Sequence, residues 1–223
     1  RDEWGKGSPD RNRERFSVMI FGTPSATDPW SWRWEGHHLT LSVTLLGEKV
    51  VSITPNAFSS DPNTVQSGPQ AGLVVLQAEE RDGRRLFADL AGATRAAARL
   101  PVRALGNVRA IAGREDMYGD DRAGVPLADL TQAQRDLATR LIEVYTVDPF
   151  AAPLAEAQRA RIREGDLDSA RFAFVAEDNA DGMVYYRLHG AAFLIEFATL
   201  RNQPQHQHTI VHDTARNLGR HRI

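Results

Sequence analysis

The stretch Gln205–Asp213, Gln-His-Gln-His-Thr-Ile-Val-His-Asp, gathers three of the chain's seven histidines within seven residues. Side chains on an extended strand alternate, so His206, His208 and His212 project from one face. His206 and His208 stand about 7 Å apart at strand spacing, near enough for both imidazoles to reach one ion at roughly 2.0–2.1 Å. His212 lies a further step along and is assigned an outer or surface place. The plainer alternative is a pair of surface histidines on an edge strand.

A His-x-His pair needs further ligands, and a chain without cysteine must take them from His, Asp, Glu or other oxygen donors. Parity nominates two. In Phe193-Leu194-Ile195-Glu196-Phe197 the odd positions are the apolar face, which turns Glu196 the other way. In the early stretch Trp32–Leu45 the stripe Leu39, Leu41, Val43 and Leu45 leaves His38 on the polar side. His37 shares the parity of the apolar stripe, and one β-bulge exchanges the two histidines. The ligand set is therefore His38, Glu196, His206 and His208, with His37 as the alternate.

Such a set suits one transition-metal ion, iron, copper, manganese or zinc, without choosing among them. The competing reading pairs Glu196 with Arg187 as a structural ion pair. By the same alternation Tyr185, Arg187 and His189 lie together. Arg187 can hold a substrate carboxylate in two hydrogen bonds. Tyr185 or Tyr186 next to a metal can pass protons, although strand aromatics are more often packing. Asp213 is placed to orient a ligand histidine through its second ring nitrogen. Trp30, Trp32 and Trp34 either wall an apolar pocket or anchor a loop. The chain lacks a nucleophile elbow, a phosphate-binding glycine loop and a dinucleotide fingerprint. Gly119-Asp120-Asp121 and Asp178–Asp181 are too short and irregular for calcium loops.

The elements that must position these residues are strands at both ends and helices between. Phe16–Phe21, Trp32–Leu45 and Lys49–Thr54 read as early strands, the last two joined by a turn at Gly47-Glu48. Pro55–Gly68 reads as a surface loop. Helical spacing runs from Pro69 through Leu90, weakened at Asp82-Gly83, and the Ala/Arg-rich stretch extends it towards Leu100. The segment from Pro101 to Pro126 is mostly loop, with one candidate strand at Asn107–Ala112. Thr131 with Gln134 forms a capping box for a helix over Gln132–Val147, and a second helix covers Ala151–Arg163. Arg171–Glu177, Met183–His189, Ala192–Leu200 and His206–His212 form an antiparallel run. The fold class is α+β, a mostly antiparallel sheet formed by N-terminal and C-terminal strands and packed with a central group of helices. Residues 1–15 are read as a flexible leader, 16–213 as a single domain and 214–223 as a basic tail.

Composition excludes several classes of partner. The 223 residues are 42% hydrophobic and 25% charged, and 27 basic against 29 acidic residues leave a net charge of −2. That balance provides no field for nucleic acid or an anionic membrane, so the expected partner is a small-molecule substrate or ligand. No apolar run approaches the roughly 20 residues that span a bilayer. A soluble protein is expected, cytoplasmic or exported after loss of an N-terminal segment.

The residues that carry this constellation also carry a resemblance. Phe21-Gly22-Thr23-Pro24, Trp32-Arg33-Trp34-Glu35-Gly36-His37-His38-Leu39-Thr40-Leu41, Gly68-Pro69, Tyr185-Tyr186-Arg187-Leu188-His189-Gly190, Phe193-Leu194-Ile195-Glu196-Phe197 and His206-Gln207-His208-Thr209-Ile210-Val211 are similar, in order and spacing, to a bacterial and fungal family known as domain of unknown function 3500. The resemblance implies that Gly-His-His, Ile-Glu and His-x-His belong to one constellation, and it implies no reaction. Members usually carry Arg where this chain has His212. On the residues themselves, the first expectation is a metal-dependent enzyme, with oxidoreductase chemistry on a small organic substrate placed ahead of metal-assisted hydrolysis. A non-catalytic metal or small-ligand binding module and a purely structural role are the other classes.

Overall fold

A computed structural model describes residues 14–101, 107–110, 123–176, 183–200 and 202–220. Most of the leader, the end of the candidate strand at Ile111-Ala112, and the stretches 119–121 and 178–181 lie outside the described residues, as do the last three residues of the tail. The described residues form a mixed α+β structure of ten strands, paired almost entirely antiparallel, and four α-helices. None of these helices is long and apolar enough to cross a membrane. The chain divides into two compact units, Arg1–Phe58 with Ala215–Ile223, and Ser59–Thr214.

In the smaller unit β1 (Ser17–Phe21) pairs with β2 (Pro29–Gly36), and β2 with β3 (Leu39–Leu46). β3 also pairs with β4 (Lys49–Ser52) and with the first three residues of β5 (Asn56–Ser60). The continuous strand expected over Trp32–Leu45 is a hairpin instead, closed by Gly36 opposite Leu39, with His37 and His38 as its two turn residues. The apolar positions explain why. Trp32 and Trp34 are even, Leu39, Leu41 and Val43 odd, so one straight strand would split them between faces. A two-residue turn pairs even with odd, setting Trp34 against Leu41 and Trp32 against Val43 on one face. β5 falls within Pro55–Gly68, expected to be loop for its density of Asn, Ser, Asp and Pro. The turn at Gly47-Glu48 forms as expected; Gly47 has φ 60°, and a Cβ there would stand 2.4 Å from the Ala26 carbonyl oxygen. Within the stretch read as a basic tail, Asn217 is buried in a short 3-10 turn, and the Leu218 N–H donates to the Thr54 carbonyl.

In the larger unit the strand order is β10 (Gln203–Asp213), β9 (Phe193–Leu200), β8 (Val184–His189), β7 (Arg171–Ala176) and β6 (Val125–Pro126). The register sets Phe174 beside Tyr186, Tyr186 beside Phe197, and Leu188 beside Ile195, which stands opposite Val211. This apolar face forms one core with Leu86 and Phe87 of α1 (Gln77–Asp89) and Leu141, Ile142 and Tyr145 of α3 (Gln132–Thr146). α2 (Gly92–Ala98) and α4 (Ala152–Glu164) complete the helical set. The capping box at Thr131 and Gln134 is present as read. α1 begins eight residues later than expected. The N–H groups of Gly72, Leu73 and Val75 go to turn and loop carbonyls rather than to a helical ladder, and Leu76 is left-handed at φ 56°.

Gly83 does not interrupt α1, because the space beside it is occupied: a Cβ would lie 2.3 Å from Cε1 of the Tyr186 ring. At an exposed helical site Gly→Ala stabilises by up to about 1 kcal/mol. Here the overpacking term wins, and Gly83→Ala is expected to destabilise by about 1–3 kcal/mol, read as a lower urea midpoint.

The Tyr186 hydroxyl meets that of Tyr145 at 2.5 Å and donates to the Glu79 carbonyl at 2.8 Å. Burial pushes both phenols well above their usual range, so they stay protonated. Burial likewise raises the Glu79 carboxyl from its ordinary value. A carboxyl raised on folding destabilises the fold once ionised, and the loss sets in as pH rises through the unfolded and then the folded value. Glu79→Gln is therefore expected to raise the denaturation midpoint at pH 7. In acid, with both side chains neutral, the advantage disappears.

Candidate functional site

The opposite face of the larger unit's sheet carries its buried polar side chains among apolar ones, and the register names its rows. His208 stands opposite Ala198, which stands opposite Tyr185. Ile210, Glu196 and Arg187 make the next row, and His212, Leu194 and His189 the one beyond. Tyr185 and Arg187 thus share a face, as alternation required, and the register adds Glu196 to it.

His206 and His208 meet at the end of this face. Their rings are nearly perpendicular, at 85°, and their Nε2 atoms are 3.0 Å apart. The other nitrogen of each ring is turned to oxygen. His206 Nδ1 lies 3.2 Å from Gln203 Oε1 and 3.6 Å from Asp61 Oδ2. His208 Nδ1 lies 2.7 Å from Asn107 Oδ1. The Val108 N–H donates to that same Asn107 oxygen at 2.7 Å, which fixes the amide with its oxygen, not its nitrogen, towards the ring. Oxygen acceptors at both Nδ1 positions select the tautomer with the proton there, so each Nε2 presents a lone pair to the other. Two such nitrogens can be neighbours in two ways. A cation can bind both: nitrogens about 2.05 Å from one ion stand about 3.0 Å apart for an angle near 94° and about 3.3 Å apart at the tetrahedral angle. Alternatively one ring is imidazolium and donates to the other.

Glu196 is fully buried, and its partners include a phenol and two backbone N–H groups. Tyr185 donates its hydroxyl to Oε1 at 2.5 Å, while the N–H groups of Arg109 and Ala110 donate to Oε2 at 3.1 and 2.7 Å. The carboxylate expected among the ligands thus anchors the segment Asn107–Ala110, which is not a strand. His212, also fully buried, binds the same segment by donating Nε2–H to the Ala110 carbonyl at 3.0 Å. It is neither a ligand candidate nor a surface residue.

Tyr186 faces the helices, stacked 6.3 Å from Phe174 and 5.3 Å from Phe197, and belongs to the core rather than to the polar face. The Asp213 carboxylate receives Nε and Nη2 of Arg161 on α4, at 3.1 and 3.3 Å. Arg187 is buried, with Nη2 3.5 Å from the Ala123 carbonyl. His189 is buried opposite Arg171. His37 and His38 belong to the smaller unit, their rings 4.4 Å apart in the hairpin turn. Asp61, Gln203 and Asn107, whose oxygens sit at the histidines' outer nitrogens, carry no ligand pattern in the sequence. Asn107 lies 101 residues before His208 in an aperiodic stretch, and only the fold brings it there.

A family model described as "Protein of unknown function (DUF3500)" matches residues 7–220. Neither a curated protein nor a solved structure matches the chain.

Proposed function

The chain belongs to the DUF3500 family, and for it we propose a metal-dependent enzyme whose ion is bound by Nε2 of His206 and His208. One observation carries this reading: two imidazoles with both Nδ1 atoms committed to oxygens hold their Nε2 atoms 3.0 Å apart, a spacing that suits two ligands of one ion. The ion is of the iron, copper, manganese and zinc group, and it supplies Lewis acidity or redox capacity.

The residues around the pair have distinct tasks. Asn107 and Gln203 hold the rings in the ligating tautomer. Tyr185 lies in the row of His208 with Ala198 between them, and its hydroxyl, bonded to Glu196, is the group proposed to pass a proton. Arg187 puts a permanent positive charge on the same face, suited to an anionic group of a small organic substrate. On that basis oxidoreductase chemistry on such a substrate stands first, and metal-assisted hydrolysis second. The 3.0 Å contact also fits a plain imidazolium–imidazole hydrogen bond, which would make the pair structural.

Reconstitution of tag-free protein with each of the four metals, followed by elemental analysis, separates these readings. One equivalent of iron or copper supports the redox reading, and zinc alone supports hydrolysis. No stoichiometric metal leaves the hydrogen-bonded pair as the correct description.

A further inference from the structure

The segment Asn107–Ala110 is tied to the polar face by three side chains from two strands, and all three ties bear on one histidine. Glu196 Oε2 receives two consecutive backbone N–H groups, at Arg109 and Ala110. His212 donates to the Ala110 carbonyl from the other side. Two residues before this double anchor, Asn107 Oδ1 meets His208 Nδ1, and His208 and His212 stand four positions apart along β10. Val108 adds an apolar contact, packed against the cluster of Val175, Met183, Tyr185 and Ala198. A carboxylate that accepts two backbone N–H groups and a phenol fixes a peptide segment more tightly than loop backbone is ordinarily held. No packing requirement explains a fully buried Glu at this point in the sheet, since Leu194 fills the neighbouring position of the same face with an apolar side chain.

We propose that Glu196 and His212 are positioning residues that set Asn107 as the outer partner of His208, so that the His208 ring is held with its proton on Nδ1 and its Nε2 lone pair directed at the ion. The inference rests on the metal-binding reading of the pair. It assigns the buried glutamate, which composition and parity nominate as a ligand, to the control of a ligand one step removed. Outer hydrogen bonds of this kind change metal affinity by about 10–100-fold.

Two measurements on four proteins test it. Side-chain nitrogen-15 spectra of the metal-free protein report which nitrogen of His208 carries the proton, and calorimetric titration with zinc or manganese reports affinity. The wild type is expected to show the proton on Nδ1. Asn107→Ala, at an exposed position that does not threaten the fold, is expected to let both tautomers appear and to weaken metal binding about 10–100-fold. Asn107→Asp, which keeps an oxygen acceptor, is expected to restore the Nδ1 proton and affinity to within a few-fold of wild type. Glu196→Leu removes the acceptor of the Arg109 and Ala110 N–H groups, and is expected to move both readouts in the direction of Asn107→Ala although Asn107 is intact. An Asn107→Ala protein with unchanged tautomer and unchanged affinity overturns the proposal, as does a Glu196→Leu protein indistinguishable from wild type. If the wild type takes up no metal while its His208 tautomer still responds to these substitutions, the positioning holds and it is the metal reading that fails.

Discussion

His208→Ala is expected to weaken metal binding by about a hundredfold or more and to leave the fold in place. The magnitude follows from structural zinc sites, where four ligands together contribute roughly 10–16 kcal/mol, or about 3 kcal/mol for each. Losing one of two imidazoles also removes the geometric selection that the pair imposes through nitrogens 3.0 Å apart. The fold should survive, because the core of the larger unit lies on the other face of the sheet, among Phe172, Phe174, Tyr186, Leu188, Ile195 and Phe197. Calorimetric titration of the variant beside the wild type, with urea denaturation of both in chelator, checks the two halves together. A variant that binds metal as tightly as wild type shows that the ion, if any, is held elsewhere.

The largest stability effect is expected at Tyr186. Its ring is fully buried between Phe174 and Phe197, with Gly83 of α1 pressed against its edge. Tyr186→Ala is expected to cost about 3–5 kcal/mol through lost burial and the cavity left behind. Tyr186→Phe keeps the ring and removes only the hydroxyl that links Tyr145 to the Glu79 carbonyl, for about 1–2 kcal/mol. The two positions should be coupled. In the Tyr186→Ala background the space beside Gly83 is open, so adding Gly83→Ala there is expected to be neutral or stabilising, with an interaction energy of about 1–3 kcal/mol in the double-mutant cycle. Additive effects in urea denaturation would show that Gly83 is not kept small by this ring.

Much of this arrangement is legible in the sequence, because it rests on alternation. The period of two in Tyr185–His189 assigns Arg187 and Tyr185 to one face, that in Phe193–Phe197 turns Glu196 away from the apolar face, and the register brings the three together. The same rule already separated Tyr185 from Tyr186, although both were nominated; two adjacent strand residues cannot serve one site. The α3 helix was legible at its first turn, since a Thr and a Gln three residues apart satisfy two backbone donors between them. The hairpin at His37-His38 was missed although its signal was present: the apolar parity changes from even at Trp34 to odd at Leu39, and a change of parity means a turn or a bulge. What period and spacing do not encode is contact across distance. Nothing near residue 107 distinguishes its asparagine from any loop asparagine, and nothing near Asp213 indicates Arg161. Those pairings are products of the packed fold, and they decide that Glu196 anchors backbone and that Asp213 neutralises a helix arginine.

The central claim is that one ion sits between two imidazole nitrogens. The most direct measurement is the X-ray absorption spectrum of metal-reconstituted protein at the metal edge, recorded for the wild type and for the His206→Ala, His208→Ala double variant. Imidazole scattering from two histidines is expected in the wild type, with metal–nitrogen distances of about 2.0–2.1 Å for zinc, and its loss in the double variant. A spectrum with only oxygen neighbours in the wild type, or one that the double substitution leaves unchanged, would contradict the claim.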